Sequence, residues 1–175
     1  LSYCYLQTIA TQANLGGTDL TGKGADKVDY LLSTSGDARF TVLVDIKRPD
    51  SALMSPKEYR TNIYSVAKAV SGGVAQLQSY CHTWENEGSR NLSNVSHLNG
   101  AMTHAPSGLL IVGNTAQFAD LPPMARSFEL FRRNTHNPEI ITFDEPYTRT
   151  EFILSHQTRA LEPFQDEDED DDIPF

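Results

Sequence analysis

The strongest structural signal in this sequence is the stretch from Arg39 to Lys47, which reads Arg-Phe-Thr-Val-Leu-Val-Asp-Ile-Lys. Its aromatic and β-branched residues are typical of a strand, and Pro49 ends it. The segment Lys27–Leu32 is a second, shorter strand candidate, and the residues from Ser33 to Asp37 favour a turn. The sequence therefore predicts a β-hairpin whose second strand ends in charged residues.

A helical pattern follows this hairpin. Ser55 is a candidate N-cap, Pro56 suits the first helical position, and Glu58 completes a capping box. Apolar residues then recur in steps of three and four at positions 59, 63, 66, 70, 74, 77, 81 and 84. Within this pattern, Gly72-Gly73 indicates either a break in the helix or a close backbone approach.

The rest of the chain predicts alternating elements and one long loop. In order they are a polar loop over Glu85–Ser107, a buried strand over Gly108–Gly113, a helix over Pro122–Arg133, a strand over Glu139–Phe143, and a helix over Asp144–Leu154 capped by Asp144. A loop of that length in a small domain is either functional or mobile. The order of elements predicts an α/β (α+β) fold with a central mixed sheet flanked by helices.

Length and charge indicate one domain with a tail. We assign residues 1–160 to the domain and residues 161–175 to a disordered acidic tail. Seven of the nine net negative charges come from the consecutive acids at 166–172, so the rest of the chain carries a net charge of −2 and can still form a basic groove. Because the chain starts without Met, we expect an N-terminal region to be missing. Two cysteines without C-x-x-C spacing favour a reduced, cytoplasmic protein, and no apolar run is long enough for a membrane span.

The charged end of the best strand predicts a metal site. Asp45 and Lys47 share one strand face, because side chains alternate along a strand. Asp45 and the Ile46 carbonyl can bind Mg²⁺, and Lys47 can orient a water molecule or neutralise a phosphate. Asp29, on the partner strand, can supply the second carboxylate. Gln76 lies on the following helix with Tyr80 one turn later, where it can support the site.

Each of these residues also has a plainer interpretation. Asp-x-Lys alone is more often a surface ion pair on a sheet, and Gln76 alone is as often an ordinary amide at the flank of a helix. The five histidines show no tight metal-binding spacing. Four arginines are candidate phosphate contacts for DNA, or else part of a solvated polar face: Arg48, Arg126, Arg132 and Arg133.

Taken together, these segments resemble the PD-(D/E)xK core of the Shedu antiphage nucleases, a restriction-endonuclease-like fold. The resemblance covers about residues 27–155 and is carried by Val28–Leu32, Val44–Pro49, Ser71–Tyr80, Gly108–Asn114 and Ile140–Glu145. Most family members have Glu where Asp45 stands, and residues 1–25 offer no helical glutamate. The resemblance implies a Mg²⁺-dependent DNA endonuclease of bacterial immunity, with Mn²⁺ as the alternative metal. It also implies that Asp29, Asp45, Lys47 and Gln76 are catalytic, and that the protein is a cytoplasmic homo-oligomer, a tetramer in this family.

The end of the acidic tail is similar to the C-terminal tip of bacterial single-stranded-DNA-binding proteins. In that family the tip docks on repair and replication proteins, so the resemblance implies a protein partner that binds such tips. A generic solubilising tail and an autoinhibitory mimic of DNA are the alternatives. The residues concerned are Asp170, Asp171, Asp172, Ile173, Pro174 and Phe175.

Two rival functions remain open on the sequence. The chain could be a non-catalytic interaction module on a nuclease fold, recruited through its tail. It could also be a restriction or repair nuclease with the same chemistry but a different biological role.

Overall fold

The computed structural model describes residues 6–16, 26–35, 38–88, 97–98, 100–148 and 150–151. The predicted tail residues Asp170 to Phe175, the predicted helix end at Leu154, and the turn residues Gly36 and Asp37 lie outside this part of the chain. Residues Leu1–Phe143 and Asp144–Phe175 form separate units. In the second unit, residues 144–148 and 150–151 are helical, as predicted.

The first unit contains seven strands, two helices and one short 3₁₀ helix within the described residues. In chain order they are β1 (Leu6–Gly16), β2 (Asp26–Thr34), β3 (Phe40–Ile46), β4 (Met54–Arg60), β5 (Ile63–Val66), α1 (Lys68–Asn86), β6 (Met102–Ile111), η1 (Thr115–Phe118), α2 (Pro122–Asn134) and β7 (Glu139–Ile141). None of the described helices combines the length and apolar character that a membrane span requires.

The central sheet has the strand order β1-β2-β3-β6-β7. The β1–β2 and β2–β3 pairs are antiparallel, whereas β6 pairs in parallel with β3 and with β7. The predicted hairpin is therefore β2–β3, in which Leu31 pairs with Leu43. The mixed sheet flanked by helices confirms the predicted α/β (α+β) class.

The predicted helix start at Ser55 is wrong, because this segment forms the β4–β5 hairpin instead. Asn62 adopts a left-handed φ of 59° in the turn, a conformation that asparagine tolerates better than most residues. Glu58 Oε1 accepts hydrogen bonds from the Asn62 N–H at 3.3 Å and from the Tyr64 hydroxyl at 3.1 Å. Glu58 thus stabilises the turn rather than a capping box, and the helix begins at Lys68.

From position 70 onward, α1 follows the predicted apolar period. Its buried side chains include Val70, Val74, Leu77, Cys81 and Trp84, which pack into the main hydrophobic core between the sheet and the helices. The helix is continuous through the glycine pair. A Cβ atom on Gly73 would lie 2.8 Å from Leu110 Cδ1, so this glycine allows a close approach between α1 and β6.

Strand β6 begins earlier than the predicted Gly108. Phe40 pairs with Met102 and Val42 pairs with Ser107, so several residues of β6 face a single residue of β3. This irregularity accommodates Ala105, whose φ is 48° and whose N–H donates to Glu85 Oε1 at 3.0 Å. The bulged residues are polar or break the pattern, and the sequence therefore predicted a loop where the strand runs.

Candidate active site

The side chains of β3 alternate between the two faces of the sheet, and this places its charged end toward α1. Trp84 Nε1 on α1 donates to Thr41 Oγ1 at 3.3 Å, and Leu43 lies in the main core. Val42 and Val44 lie in a smaller cluster on the opposite face. Asp45 and Lys47 continue the odd-numbered face, so both side chains point to the α1 side.

A polar chain joins the end of β3 to α1. Lys47 Nζ lies 2.7 Å from Asp45 Oδ2 and donates a hydrogen bond to Gln76 Oε1 at 2.9 Å. Gln76 Nε2 in turn donates to the Tyr80 hydroxyl at 2.8 Å. Gln76 and Tyr80 are one helical turn apart, which places them on the same side of α1. The structure thus brings together three of the four residues expected to be catalytic.

Within this series of polar side chains, Asp45 is the buried acid, with 5% of its surface exposed. Its Oδ2 atom has the close charge contact with Lys47, but within the described residues it accepts no hydrogen bond of acceptable geometry. A buried carboxylate normally collects several donors, whereas among the described residues Oδ2 has only the Lys47 ammonium beside it. Asp45 therefore presents an oxygen with unused capacity for a ligand.

Asp29, the fourth expected residue, lies where β2 and β3 part. Backbone pairing ends at Tyr30 and Val44, and the Asp29 carboxylate then takes the place of a backbone acceptor. Its Oδ2 accepts the Ile46 N–H at 2.8 Å, and its Oδ1 accepts Gln12 Nε2 at 3.0 Å. The Asp29 carboxylate is thereby fixed against the strand that carries Asp45.

The Ile46 carbonyl points toward the same side of β3 as Asp29. The N–H and C=O of one residue in an extended strand point to the same side, and the Ile46 N–H is bonded to Asp29. The next residue points to the other side of β3, as alternation requires: the Lys47 N–H donates to the Ile111 carbonyl on β6 at 2.9 Å. Among the described residues, no group of three His, Cys, Asp or Glu side chains could hold a metal ion. Protein ligands at this site would be two carboxylates and a backbone carbonyl.

Comparison with known proteins places this architecture in a family. The family described as "Shedu protein SduA, C-terminal" matches residues 4–146, which include all five strands of the central sheet. The chain belongs to the Shedu SduA family. The Shedu protein SduA of Bacillus cereus (strain B4264) is 32% identical to it over 152 residues. That alignment covers 83% of this chain and 39% of the relative, so the chain spans about two fifths of that Shedu protein's length.

The arginines considered for DNA binding in this Shedu chain lie on two separate segments and differ in their partners. Arg48 follows β3, is largely exposed, and forms two hydrogen bonds with Asp50 at 2.9 and 2.6 Å. The other three lie on α2. Arg132 is held by Glu129 and lies over the Phe128 ring. Arg126 and Arg133 are exposed, and Arg133 Nε lies 3.8 Å from Glu129 Oε2.

Gln12 is the site residue that sequence reasoning missed. Its φ is 48°, a left-handed value that is uncommon for a residue other than glycine, and its amide reaches Asp29. Nothing in the local pattern around residue 12 signals this conformation. A search of residues 1–25 for a helical acid could not find it either, because the residue is an amide on a strand.

Proposed function

We propose that this Shedu-family chain is the nuclease part of an antiphage defence protein that hydrolyses DNA with the help of Mg²⁺. The observation that carries the proposal is the buried Asp45 carboxylate, whose Oδ2 lies 2.7 Å from Lys47 Nζ and accepts no well-aligned hydrogen bond from the described residues. An ionised carboxylate has about four lone-pair sites, so with one cationic neighbour it still has lone pairs that a metal ion can use. Membership of the Shedu SduA family supports the defence role.

The available donors fit Mg²⁺ and also Mn²⁺. Both ions prefer oxygen ligands, and the candidates are Asp29, Asp45 and the Ile46 carbonyl. Because only two of these groups are charged, the remaining ligands would be water and the substrate phosphate, as is usual for Mg²⁺. When bound, the ion would neutralise charge on the phosphate and make a bound water molecule more acidic.

Lys47 has the donors to act on the attacking water or on the phosphate. Its ammonium carries three N–H groups, and one is directed to Gln76 at 2.9 Å. Asp45 balances its charge, and 28% of the side chain is exposed, so substrate can reach it. Gln76 is itself held by Tyr80, which keeps the Lys47 side chain aimed at the site. We therefore assign Lys47 the contact with water or phosphate, and Gln76 the task of orienting Lys47.

DNA is the proposed partner, and the candidate phosphate contacts are the exposed Arg126 and Arg133 together with Arg48 and Arg132. Arg48 and Arg132 form close ion pairs with Asp50 and Glu129, so fewer of their N–H groups can bind a phosphate until it displaces those carboxylates. Arg133 has only a longer contact with Glu129, at 3.8 Å. A homo-oligomer, a tetramer by the family resemblance, would present several such sites to one duplex.

A cleavage assay on linear and supercoiled DNA tests this proposal. We expect cutting with Mg²⁺, no cutting with EDTA, and loss of cutting in Lys47→Ala. The matched control is Lys57→Ala, which removes an exposed lysine from β4 and should cut like the wild type. Cutting that persists in Lys47→Ala, or loss that is equal in both variants, would contradict the assignment of Lys47.

A second candidate function is favoured by the resemblance of the last six residues to single-stranded-DNA-binding-protein tips. In this alternative the nuclease fold recruits a tip-binding protein, and its polar chain is structural. Deleting Ile173, Pro174 and Phe175 separates the two functions. Loss of partner capture with unchanged DNA cleavage would mean that the tail and the nuclease site act independently. A restriction or repair nuclease would show the same cleavage but no protection against phage.

A further inference from the structure

A cavity of about 310 Å³ lies beside Asp29. It is lined by Thr11, Gln12, Asp29, Tyr30 and Ile46, and we refer to it as the Asp29 cavity. Its volume is near the lower end of the range of about 300 to 1,000 Å³ typical of small-ligand sites, so it suits one small unit of a ligand. Any group that enters it lies next to a carboxylate of the proposed nuclease site.

Two of the lining side chains are large, apolar and exposed. Tyr30 and Ile46 each expose 38% of their surface, although both flank residues that are fully or nearly buried. Tyr30 pairs with Val44, and Ile46 lies two residues further along β3, so the two side chains are diagonal neighbours on one face of the sheet. An aromatic ring and an aliphatic side chain placed side by side at the mouth of a cavity suit contact with a flat or apolar group.

The charge of the Asp29 cavity disfavours a phosphate as its occupant. Among the described residues that line it, Asp29 is the only charged one, and the other four carry no cation. The cations of the site, Lys47 and Arg48, follow Ile46 along the chain, and Lys47 points to the α1 face of the sheet. A substrate strand would therefore place its phosphate near Lys47 and an uncharged sugar or base in the cavity.

We propose that the Asp29 cavity is the subsite for the nucleotide next to the scissile phosphate, with the base or sugar packed against Tyr30 and Ile46. This proposal rests on the nuclease function proposed above. Gln12 completes the subsite, because its amide donates to Asp29 and its carbonyl oxygen can accept a hydrogen bond from a base. The subsite thus couples placement of the nucleotide to placement of the Asp29 carboxylate.

The test compares Tyr30→Ala with the wild type on duplexes that carry a single abasic residue at successive positions around the cut. On intact DNA we expect Tyr30→Ala to cut about 5- to 150-fold more slowly, the range for loss of one stacked base. At one abasic position the wild type should slow down to the same degree, and the difference between the two proteins should disappear there. Tyr30→Phe keeps the ring and should cut normally. Tyr59→Ala, which removes a tyrosine that is 73% exposed on β4, is the control.

Two outcomes of the cleavage assay would overturn the subsite. Tyr30→Ala could cut intact DNA at the wild-type rate, or it could be slowed equally at every abasic position, as a purely structural defect would require. If the wild type does not cut DNA, binding of a labelled duplex by fluorescence anisotropy decides the question. If Tyr30→Ala binds the intact duplex more weakly than the wild type, and both bind the abasic duplex equally, the result would support the subsite while contradicting DNA hydrolysis. Equal binding by both proteins, or no binding, would overturn the subsite as well.

Discussion

At the scale of single residues, the arrangement around Asp29 depends on an unfavourable backbone conformation. Gln12 has a φ of 48°, which costs of the order of 1–3 kcal/mol in a residue other than glycine. The surrounding pairs Thr11–Tyr30 and Ala13–Val28 hold it in place. In return, its amide donates to Asp29, whose other oxygen accepts the Ile46 N–H. Such strain is often found where a side chain must be aimed at a functional site.

This arrangement predicts that two Gln12 variants share one effect on activity but differ in stability. Gln12→Ala should lower the single-turnover cleavage rate about tenfold and raise the Mg²⁺ concentration needed for half the maximal rate, because Asp29 loses a charge-assisted hydrogen bond. Gln12→Gly should show the same kinetic defect, but its free energy of unfolding should be about 1 kcal/mol higher than that of Gln12→Ala, because glycine accepts the positive φ. Urea unfolding and a Mg²⁺ titration measure both. Equal stability of the two variants and an unchanged Mg²⁺ requirement would contradict the role of Gln12.

Cys81 offers a test of packing that does not involve the site. Burial raises the pKa of its thiol to about 11, an Asn137 hydrogen bond opposes this, and Glu85 adds to it. The folded chain therefore holds the thiol proton to higher pH than the unfolded chain, whose thiol has the ordinary value of 9.0. This contribution to stability is complete below pH 9.0 and is lost as the pH rises through about 11.

We accordingly expect Cys81 to resist alkylation while the chain is folded. In a Cys4→Ser variant, iodoacetamide at about pH 8 should modify Cys81 far more slowly than it does in denaturant, since only the thiolate reacts. The serine substitution removes the second thiol, which lies outside the described residues. Equal rates with and without denaturant would show that Cys81 is not buried as described.

The residues of the site differ in how far they can be predicted from sequence. The shared face of Asp45 and Lys47 follows from strand alternation alone, and the contact of Gln76 with Tyr80 follows from helical spacing. The contact between Lys47 and Gln76 depends on how α1 packs against the sheet. The apolar period of α1 predicts which face of the helix is buried, but not this contact. Gln12 depends on a local dihedral angle that no residue pattern reveals, and so it could not be predicted.

At the scale of secondary-structure elements, the glycine pair of α1 shows how neighbouring positions in one helix can have different roles. A Cβ atom on Gly73 would lie 2.8 Å from Leu110 Cδ1 and 2.9 Å from Leu110 Cδ2, whereas one on Gly72 would meet nothing within 4 Å. Gly73 therefore sets the distance between α1 and β6, and through it the approach of Gln76 to Lys47. Gly72 carries only the cost of glycine in a helix.

The two glycines make a matched pair of variants. Gly72→Ala should stabilise the chain by up to about 1 kcal/mol, because alanine favours the helix and meets no neighbour. Gly73→Ala should instead destabilise it by about 1–3 kcal/mol, because the added methyl group collides with Leu110 in a packed core. Urea unfolding at equilibrium measures both changes. A stabilising Gly73→Ala would mean that Leu110 can move aside and that the close approach is not required.

The elements that were predicted wrongly share a physical cause. Ser55, Pro56 and Glu58 form a good local helix start, but the turn at Asn62 and the packing of β5 against α2 favour a hairpin, with the Tyr64 N–H donating to Ser127 Oγ at 3.3 Å. Likewise, β6 continues through polar residues because Met102 can pair with Phe40 across a bulge. Local propensity is a weak guide when pairing with a distant segment decides the structure.

At the scale of the whole molecule, the fold class was predicted from the order of buried strands and helices. The run of apolar residues in β3 and β6 identifies two central parallel strands, and α1 covers one face of them. These features were sufficient for the α/β (α+β) class and for placing the candidate site at the end of β3.

Net charge is a poor guide to function in this chain. The tail acids account for most of the charge of −9, so an average over all 175 residues hides the cationic residues near β3 and on α2. The proposed DNA contacts are therefore compatible with the acidic composition, since only the local charge at the site acts on a phosphate at short range.

The most direct test of the proposed nuclease site is the single-turnover cleavage rate of Asp45→Asn with Mg²⁺, measured beside its thermal unfolding. Asparagine keeps the shape of the buried side chain but removes the charge that a metal ligand needs. We expect cleavage to fall by at least about 100-fold with a cooperative unfolding transition retained, while the exposed control Asp120→Asn cuts normally. Wild-type cleavage by a folded Asp45→Asn would contradict the proposed nuclease site and leave Asp45 and Lys47 as a structural ion pair.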